Sequence, residues 1–216
     1  MLDRLPLERD ATVLDLGAGT GKLTQVLVAR YARVIAVEPL EELREFLETR
    51  VPQADVRAGA AEAIPLEDAS VDAVFAGQAF HWFANDRAVA EIARVLRPGG
   101  VICLVWNEPQ EPSPLPPDYE AYLQRLHAPA LDAVRDAPPW PELIARGPFG
   151  EVHETALPNE QVLERNGVLT FAQTVSWIAH RDDEERRRIA ADLDAMLGDG
   201  PFTFPMRTNV TWAVRE

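Results

Sequence analysis

Among 216 residues there is one cysteine, Cys103, which excludes an internal disulfide and every metal framework built on several cysteines. Histidine is nearly as scarce. His81, His127, His153 and His180 show no metal-motif spacing with one another, so no metal site is expected. Basic side chains number 21 against 35 acidic ones, a formal net charge of −14. That balance argues against nucleic acid as a partner, because binding along phosphates draws on lysine and arginine. The one dense basic run, Arg186-Arg187-Arg188, follows Asp182-Asp183-Glu184-Glu185. Acids before bases is the order a solvated helix start prefers, with carboxylates at the positive end of its dipole. No apolar run approaches membrane-spanning length, and Met1-Leu2-Asp3-Arg4-Leu5-Pro6 lacks a basic-then-apolar leader pattern. The expected setting is soluble, reducing and cytoplasmic, with no membrane partner.

What the chain does have is apolar content for a sizeable core, at 47% hydrophobic residues. Surface scaling allows burial of roughly 70% of the unfolded chain's area, so a single domain spanning 1–216 is expected. The first hundred residues alternate strand-like and helix-like segments. Thr12 to Leu16, Arg33 to Glu38, Asp55 to Ala58 and Val71 to Ala76 read as strands. Leu23, Val26 and Leu27, then Leu40, Leu43 and Leu47, fall at helical spacing. Asn85 is a capping candidate for a helix with the stripe Val89, Ile92 and Leu96, stopped by Pro98-Gly99-Gly100. Val101 to Trp106 is a continuous apolar strand of the kind buried on both faces. Such alternation implies an α/β fold with a mainly parallel sheet.

The second half is less regular. Five prolines between Pro109 and Pro117, and Pro138-Pro139-Trp140-Pro141 later, read as an extended, stiff linker within about 108–181. A strand is expected near Glu151 to Leu157 and a short helix over Leu169 to Ala179. An amphipathic helix carries Ile189, Leu193, Met196 and Leu197, and a last strand covers Val210 to Val214 in the closing segment 182–216.

The densest signal is Val13-Leu14-Asp15-Leu16-Gly17-Ala18-Gly19-Thr20-Gly21-Lys22, a strand feeding a glycine turn and a helix. A ligand can approach bare backbone there. A nucleotide phosphate loop needs one more residue before its Gly-Lys and a hydroxyl after it, where this chain has Leu23. A dinucleotide fingerprint needs its third glycine one residue later than Gly21. Glu38 ends the second strand, 21 residues after Gly17. A carboxylate so placed accepts hydrogen bonds from both hydroxyls of a ribose.

Val13 to Thr24 resembles the first motif of the class I S-adenosylmethionine-dependent methyltransferases. The likeness continues through Val34 to Pro39, Gly59 to Leu66 and Arg94 to Gly100. Gln78-Ala79-Phe80-His81-Trp82-Phe83 and Val105-Trp106-Asn107 look like the small-molecule branch that holds ubiquinone-type and trans-aconitate-type enzymes. The resemblance implies a Rossmann-like three-layer α/β sandwich whose seven-stranded sheet is mainly parallel, with the last strand antiparallel. It also implies S-adenosyl-L-methionine as cofactor, bound by the half of the chain over 1–107. Gly17, Ala18, Gly19 and Thr20 would meet the methionine part through backbone, with Asp15 shaping the loop. Glu38, followed by Pro39, would hold the ribose. Ala60, Ala61 and Glu62 would flank the adenine, and Gln78 would face the methionine amino group. Many relatives carry an aspartate where this chain has Ala60. The family also places helices before the first strand, where eleven residues precede Thr12, so either the start is truncated or another element supplies the cover, with Trp177, His180 and the proline linker as candidates.

Methyl transfer is an in-line displacement, for which the protein aligns the partners and removes a proton when the nucleophile needs it. His81 is the titratable residue of its loop and the candidate general base or hydrogen-bond donor. Phe80, Trp82, Trp106, Asn107 and Trp177 are the other candidates for a substrate pocket. The Asp/Asn-Pro-Pro-aromatic motif of nucleic-acid amino methyltransferases is absent after the fourth strand, which favours a small-molecule substrate. The acceptor atom, oxygen, nitrogen or carbon, stays open, as does a homodimer. Two competing readings are a noncatalytic or partner-dependent methyltransferase-like domain and a nicotinamide-dependent oxidoreductase.

Overall fold

The structure, a computed structural model, describes residues 5–127, 139–174, 178 and 181–216. Seven strands form one sheet in the order β3-β2-β1-β4-β5-β7-β6. They are β1 (Thr12–Leu16), β2 (Arg33–Glu38), β3 (Asp55–Ala58), β4 (Val71–Gly77), β5 (Leu96–Pro109), β6 (His153–Leu163) and β7 (Phe202–Val214). The first five pair in parallel, with Leu14 opposite Ile35 and Val74, and Phe75 opposite Cys103. β7 runs antiparallel to its neighbours: Gly99 N donates to Arg215 O and Gln110 N to Pro205 O, while Gly150 N donates to Val214 O. This is the mainly parallel sheet with an antiparallel last strand that the resemblance implies.

Alternation along the central strands explains why both faces are covered. Leu14, Val74, Ile102 and Leu104 join one buried cluster with Val89 and Ile92 of α3 (Asp86–Val95) and Leu143 and Ile144 of α5 (Trp140–Ala145). Val13, Ala73, Phe75, Val101 and Cys103 point the other way, into a cluster with Leu27 of α1 (Lys22–Val28). Leu47 of α2 (Glu41–Arg50) packs on Ala36 nearby in sequence order. Two apolar faces on one sheet require two helical layers.

The chain divides into two compact units. One comprises the described residues within 1–107, 138–157 and 208–216, and the other those within 108–137 and 158–207. The second unit has its own core, in which Tyr119 of α4 (Pro117–His127), Val168 and Ala172 of α6 (Arg165–Thr174), and Ile189 and Leu193 of α7 (Asp183–Met196) are buried together.

Several boundaries differ from the sequence reading, for physical reasons. The helix stopped by Pro98-Gly99-Gly100 already ends at Val95, and β5 begins at Leu96, so that triplet lies inside a strand. An irregularity between Val71 and Ala73 in the β4–β5 register absorbs the extra residues. The proline-rich stretch is not wholly extended. α4 opens on Pro117 and α5 carries Pro141 in its first turn, where a missing N–H costs nothing. Leu40 is the capping residue of α2 and is exposed, leaving Leu47 as its buried anchor. The helix placed over Leu169 to Ala179 runs Arg165–Thr174. Trp177 and His180 lie outside the described residues.

Candidate functional site

Because β1 to β5 are parallel, their carboxyl ends share one edge of the sheet. Sequence-selected residues follow each of them: Gly17 after β1, Glu38 closing β2, Ala60 to Glu62 after β3, Gln78 to Trp82 after β4, and Trp106 and Asn107 near the end of β5. The strand order reverses direction between β1 and β4, and open α/β sheets bind ligands in the crevice at such a switch point.

Glu38 is nearly buried, and both its oxygens are engaged. Oε2 accepts from Gly19 N at 2.9 Å and Oε1 from Leu40 N at 3.0 Å. Three more turn amides are used internally. Gly17 N and Ala18 N donate to Val37 O at 2.9 and 3.1 Å, and Gly21 N donates to Ala18 O. Among the described residues, the Thr20 amide donates no hydrogen bond and the carbonyl oxygens of Gly17 and Gly19 accept none. A loop with most of its N–H groups spent and the Gly17 and Gly19 carbonyls free suits a cation such as an ammonium better than a phosphate.

The glycines divide by task. A Cβ at Gly17 would lie 2.8 Å from Ala79 Cβ, and one at Gly21 would lie 2.2 Å from Leu47 Cδ1, so both sites are fixed by packing. Gly19 has φ +54° and nothing within 4 Å of an added Cβ. Its side faces open space. Asp15, fully buried on β1, accepts from Thr24 Oγ1 of α1 at 2.6 Å and so closes the loop from beneath. Desolvation by burial pushes its carboxyl up to about 7, against the opposing pull of the Thr24 hydrogen bonds. Thr20 is half-buried beside the turn, and the Pro39 carbonyl accepts from Arg44 Nη1 at 2.6 Å.

After β3, Ala60 bridges Ala63, Ala61 is buried, and Glu62 Oε1 accepts from Asn85 Nδ2 at 2.9 Å. Asn85 also caps α3 through Oδ1 and Ala88 N. This loop is held by a residue the sequence reading quoted only as part of a motif. The Arg94 guanidinium donates to the carbonyls of Ile64 and Leu66 and to Glu91 and Asp68, all at 2.7–2.9 Å. Glu91 in turn accepts from Ile64 N at 2.9 Å. Bonding to Arg94 holds the Glu91 carboxyl below its ordinary value. The legible signal was the Glu-x-x-Arg spacing on one helix face.

After β4, Gln78 takes a left-handed backbone conformation at φ +56°. Its amide donates to Val105 O and its Nε2 to Asn107 O at 2.8 Å, tying the β4 and β5 loops together. Asn107 Oδ1 accepts from Thr208 Oγ1 at 2.6 Å. The next residues form an aromatic row. His81 lies 4.7 Å from Trp82 and 5.1 Å from Trp106, ring centre to ring centre, and Trp140 makes edge contacts with both Trp106 and Phe80. Phe80 is buried in the core against Phe83, while Trp82 is 67% exposed. Trp140 belongs to this row through the fold and not through any motif. His81 Nδ1 is buried with no hydrogen-bond partner, and burial lowers the imidazole pKa. The ring is therefore neutral at pH 7. Among the described residues no group of three His, Cys, Asp or Glu side chains could hold a metal, and no helix is long and apolar enough to cross a membrane.

A profile of methyltransferase domains matches residues 14–104. An uncharacterized methyltransferase-like protein of Schizosaccharomyces pombe is 37% identical over 198 residues, covering 89% of this chain and 75% of that protein. Among solved structures, a putative type II methyltransferase from Anaeromyxobacter dehalogenans superposes with TM-score 0.60 at 30% identity, over 99% of this chain and 91% of that one. A geranyl diphosphate methyltransferase solved in complex with S-adenosylmethionine shares the fold, with TM-score 0.55 at 18% identity over 100% and 82% of the two chains.

Proposed function

The chain belongs to the class I S-adenosylmethionine-dependent methyltransferases, and from that premise we propose that it methylates a small molecule at the carboxyl edge of β1 to β5. S-adenosylmethionine, its cofactor, supplies when bound a methyl group activated on a sulfonium. The observation that carries the siting is the bond between Glu38 and the Gly19 amide, with open space over Gly19. The residues fit the cofactor's three parts. The free carbonyls of Gly17 and Gly19 would accept from the methionine ammonium. The Glu38 oxygens, each with a second lone pair, would accept from the ribose hydroxyls. Ala61 and Glu62, on the loop pinned by Arg94, would flank the adenine.

The acceptor would enter along His81, Trp82 and Trp106. A neutral His81 with a pKa below its ordinary value is ready to take a proton from a hydroxyl or ammonium acceptor at pH 7. Trp82, exposed beside it, offers an apolar wall. The net charge of −14 supports a small molecule over a nucleic acid. Titration of Glu38→Ala with S-adenosylhomocysteine tests this reading: affinity falls at least tenfold, and unchanged affinity removes the siting.

A further inference from the structure

The second unit contains a cavity of about 320 Å³ that no residue of the cofactor reading touches. That volume stands at the lower end of small-molecule sites, roughly 300–1,000 Å³. Its walls are mostly apolar, with Leu123 from α4, Leu163 from β6, Val168 from α6 and Met206 from β7. Elements from four parts of the unit converge on it, so its shape is set by packing and not by one loop.

The charge of the lining is one-sided. Glu111 and Glu120 line the cavity, and no lysine or arginine does. Among the described residues Glu111 accepts only from Ser113 N, at 3.0 Å. Glu120 is half-buried, and among the described residues its carboxylate has neither a hydrogen bond nor an ion pair. Asp118 and Glu120 both stand in the first turn of α4, where carboxylates meet the helix dipole, and Glu120 also lines the cavity. A carboxylate partly withdrawn from water beside apolar walls favours a cationic partner and repels an anion.

We propose that this cavity binds a small organic amine: an apolar body against Leu123, Leu163, Val168 and Met206, and an ammonium group on Glu120. The site stands apart from the cofactor reading, and either can fail without the other.

The test uses the full chain and three probes of one shape: phenylpropylamine, phenylpropanol and phenylpropanoate. Calorimetric titration gives the order amine, alcohol, carboxylate, from tightest to weakest. Glu120→Gln lowers amine affinity about fivefold and leaves the alcohol unchanged, the range expected for a partly exposed ion pair. Glu120→Lys inverts the order, so that the carboxylate binds best. Far-UV circular dichroism and cooperative thermal unfolding of both variants, unchanged from the parent, show that the fold is intact. The proposal is overturned if no probe binds the parent, if the carboxylate matches the amine there, or if neither variant alters the order.

Discussion

The Glu38 carboxylate accepts a hydrogen bond from the Gly19 amide at 2.9 Å, joining the end of β2 to the turn that follows β1. One acidic side chain thereby does two things. It fixes the turn whose carbonyls stay free, and it keeps lone pairs at the switch point of the sheet. Removing it leaves the amides of Gly19 and Leu40 without partners, each at a cost of about 1–3 kcal/mol if water cannot reach them. Glu38→Ala therefore lowers the melting temperature as well as cofactor affinity. Glu38→Gln, which retains one acceptor, recovers part of the stability in thermal denaturation and little of the affinity.

The glycines of the loop separate folding from binding. Gly19→Ala meets open space and carries only left-handed backbone strain, on the order of 1 kcal/mol. It folds, and it weakens S-adenosylhomocysteine binding in calorimetry because its methyl occupies the face left open to ligand. Gly21→Ala adds the same strain and a Cβ 2.2 Å from the buried Leu47, so it loses stability before any ligand is added. Equal melting temperatures for the two variants contradict this division.

Asp15 gives the chain a pH-dependent stability. Burial raises its carboxyl from an ordinary 3.8 to about 7, so the folded state holds a proton that the unfolded chain releases. Its contribution is fully present below about pH 4 and is lost as pH rises toward 7, to the extent of roughly 4 kcal/mol. Asp15→Asn cannot ionise. Its melting temperature should fall less than the parent's between about pH 5 and about pH 8, and parallel pH profiles for the two proteins argue against a proton on Asp15.

In the proposed function His81 acts on the acceptor and not on the cofactor. His81→Gln keeps S-adenosylhomocysteine affinity within about twofold and lowers turnover by roughly 10²-fold or more on an acceptor that must lose a proton. A base works once deprotonated, so the parent's rate climbs with pH through the His81 pKa. Because burial lowers that pKa below 6.5, most of the rise lies below neutrality. A rate still climbing steeply through pH 7 to 8 in the parent, and equally in His81→Gln, assigns the base to another group.

How much of this was legible in the sequence depends on how local the cause is. The turn from Gly17 to Gly21, the strand ending at Glu38 and the Asn85 cap are set by neighbours in the chain, and their residues fell where spacing placed them. Trp140 joins Trp106 and Phe80 only through the packing of α5, across 34 residues from Trp106, which no periodicity reports. Pro117 and Pro141 read as linker because proline breaks helix interiors, whereas at these positions each sits in the first turn of a helix. The Pro98-Gly99-Gly100 triplet reads as a helix stop, but α3 ends ahead of it at Val95 and the sheet carries the chain straight through it as β5. That the amides of Gly17, Ala18 and Gly19 are spent on Val37 and Glu38 is also tertiary, and it favours a cation over an anion at the loop.

The central claim is that this edge of the sheet accepts a cationic amino-acid moiety with a ribose and not a dinucleotide pyrophosphate. Calorimetric titration of the full chain with S-adenosylhomocysteine, with NADH run in parallel, tests it most directly. Micromolar affinity for the former and none for NADH is the predicted result; binding of NADH, or of neither compound, contradicts it.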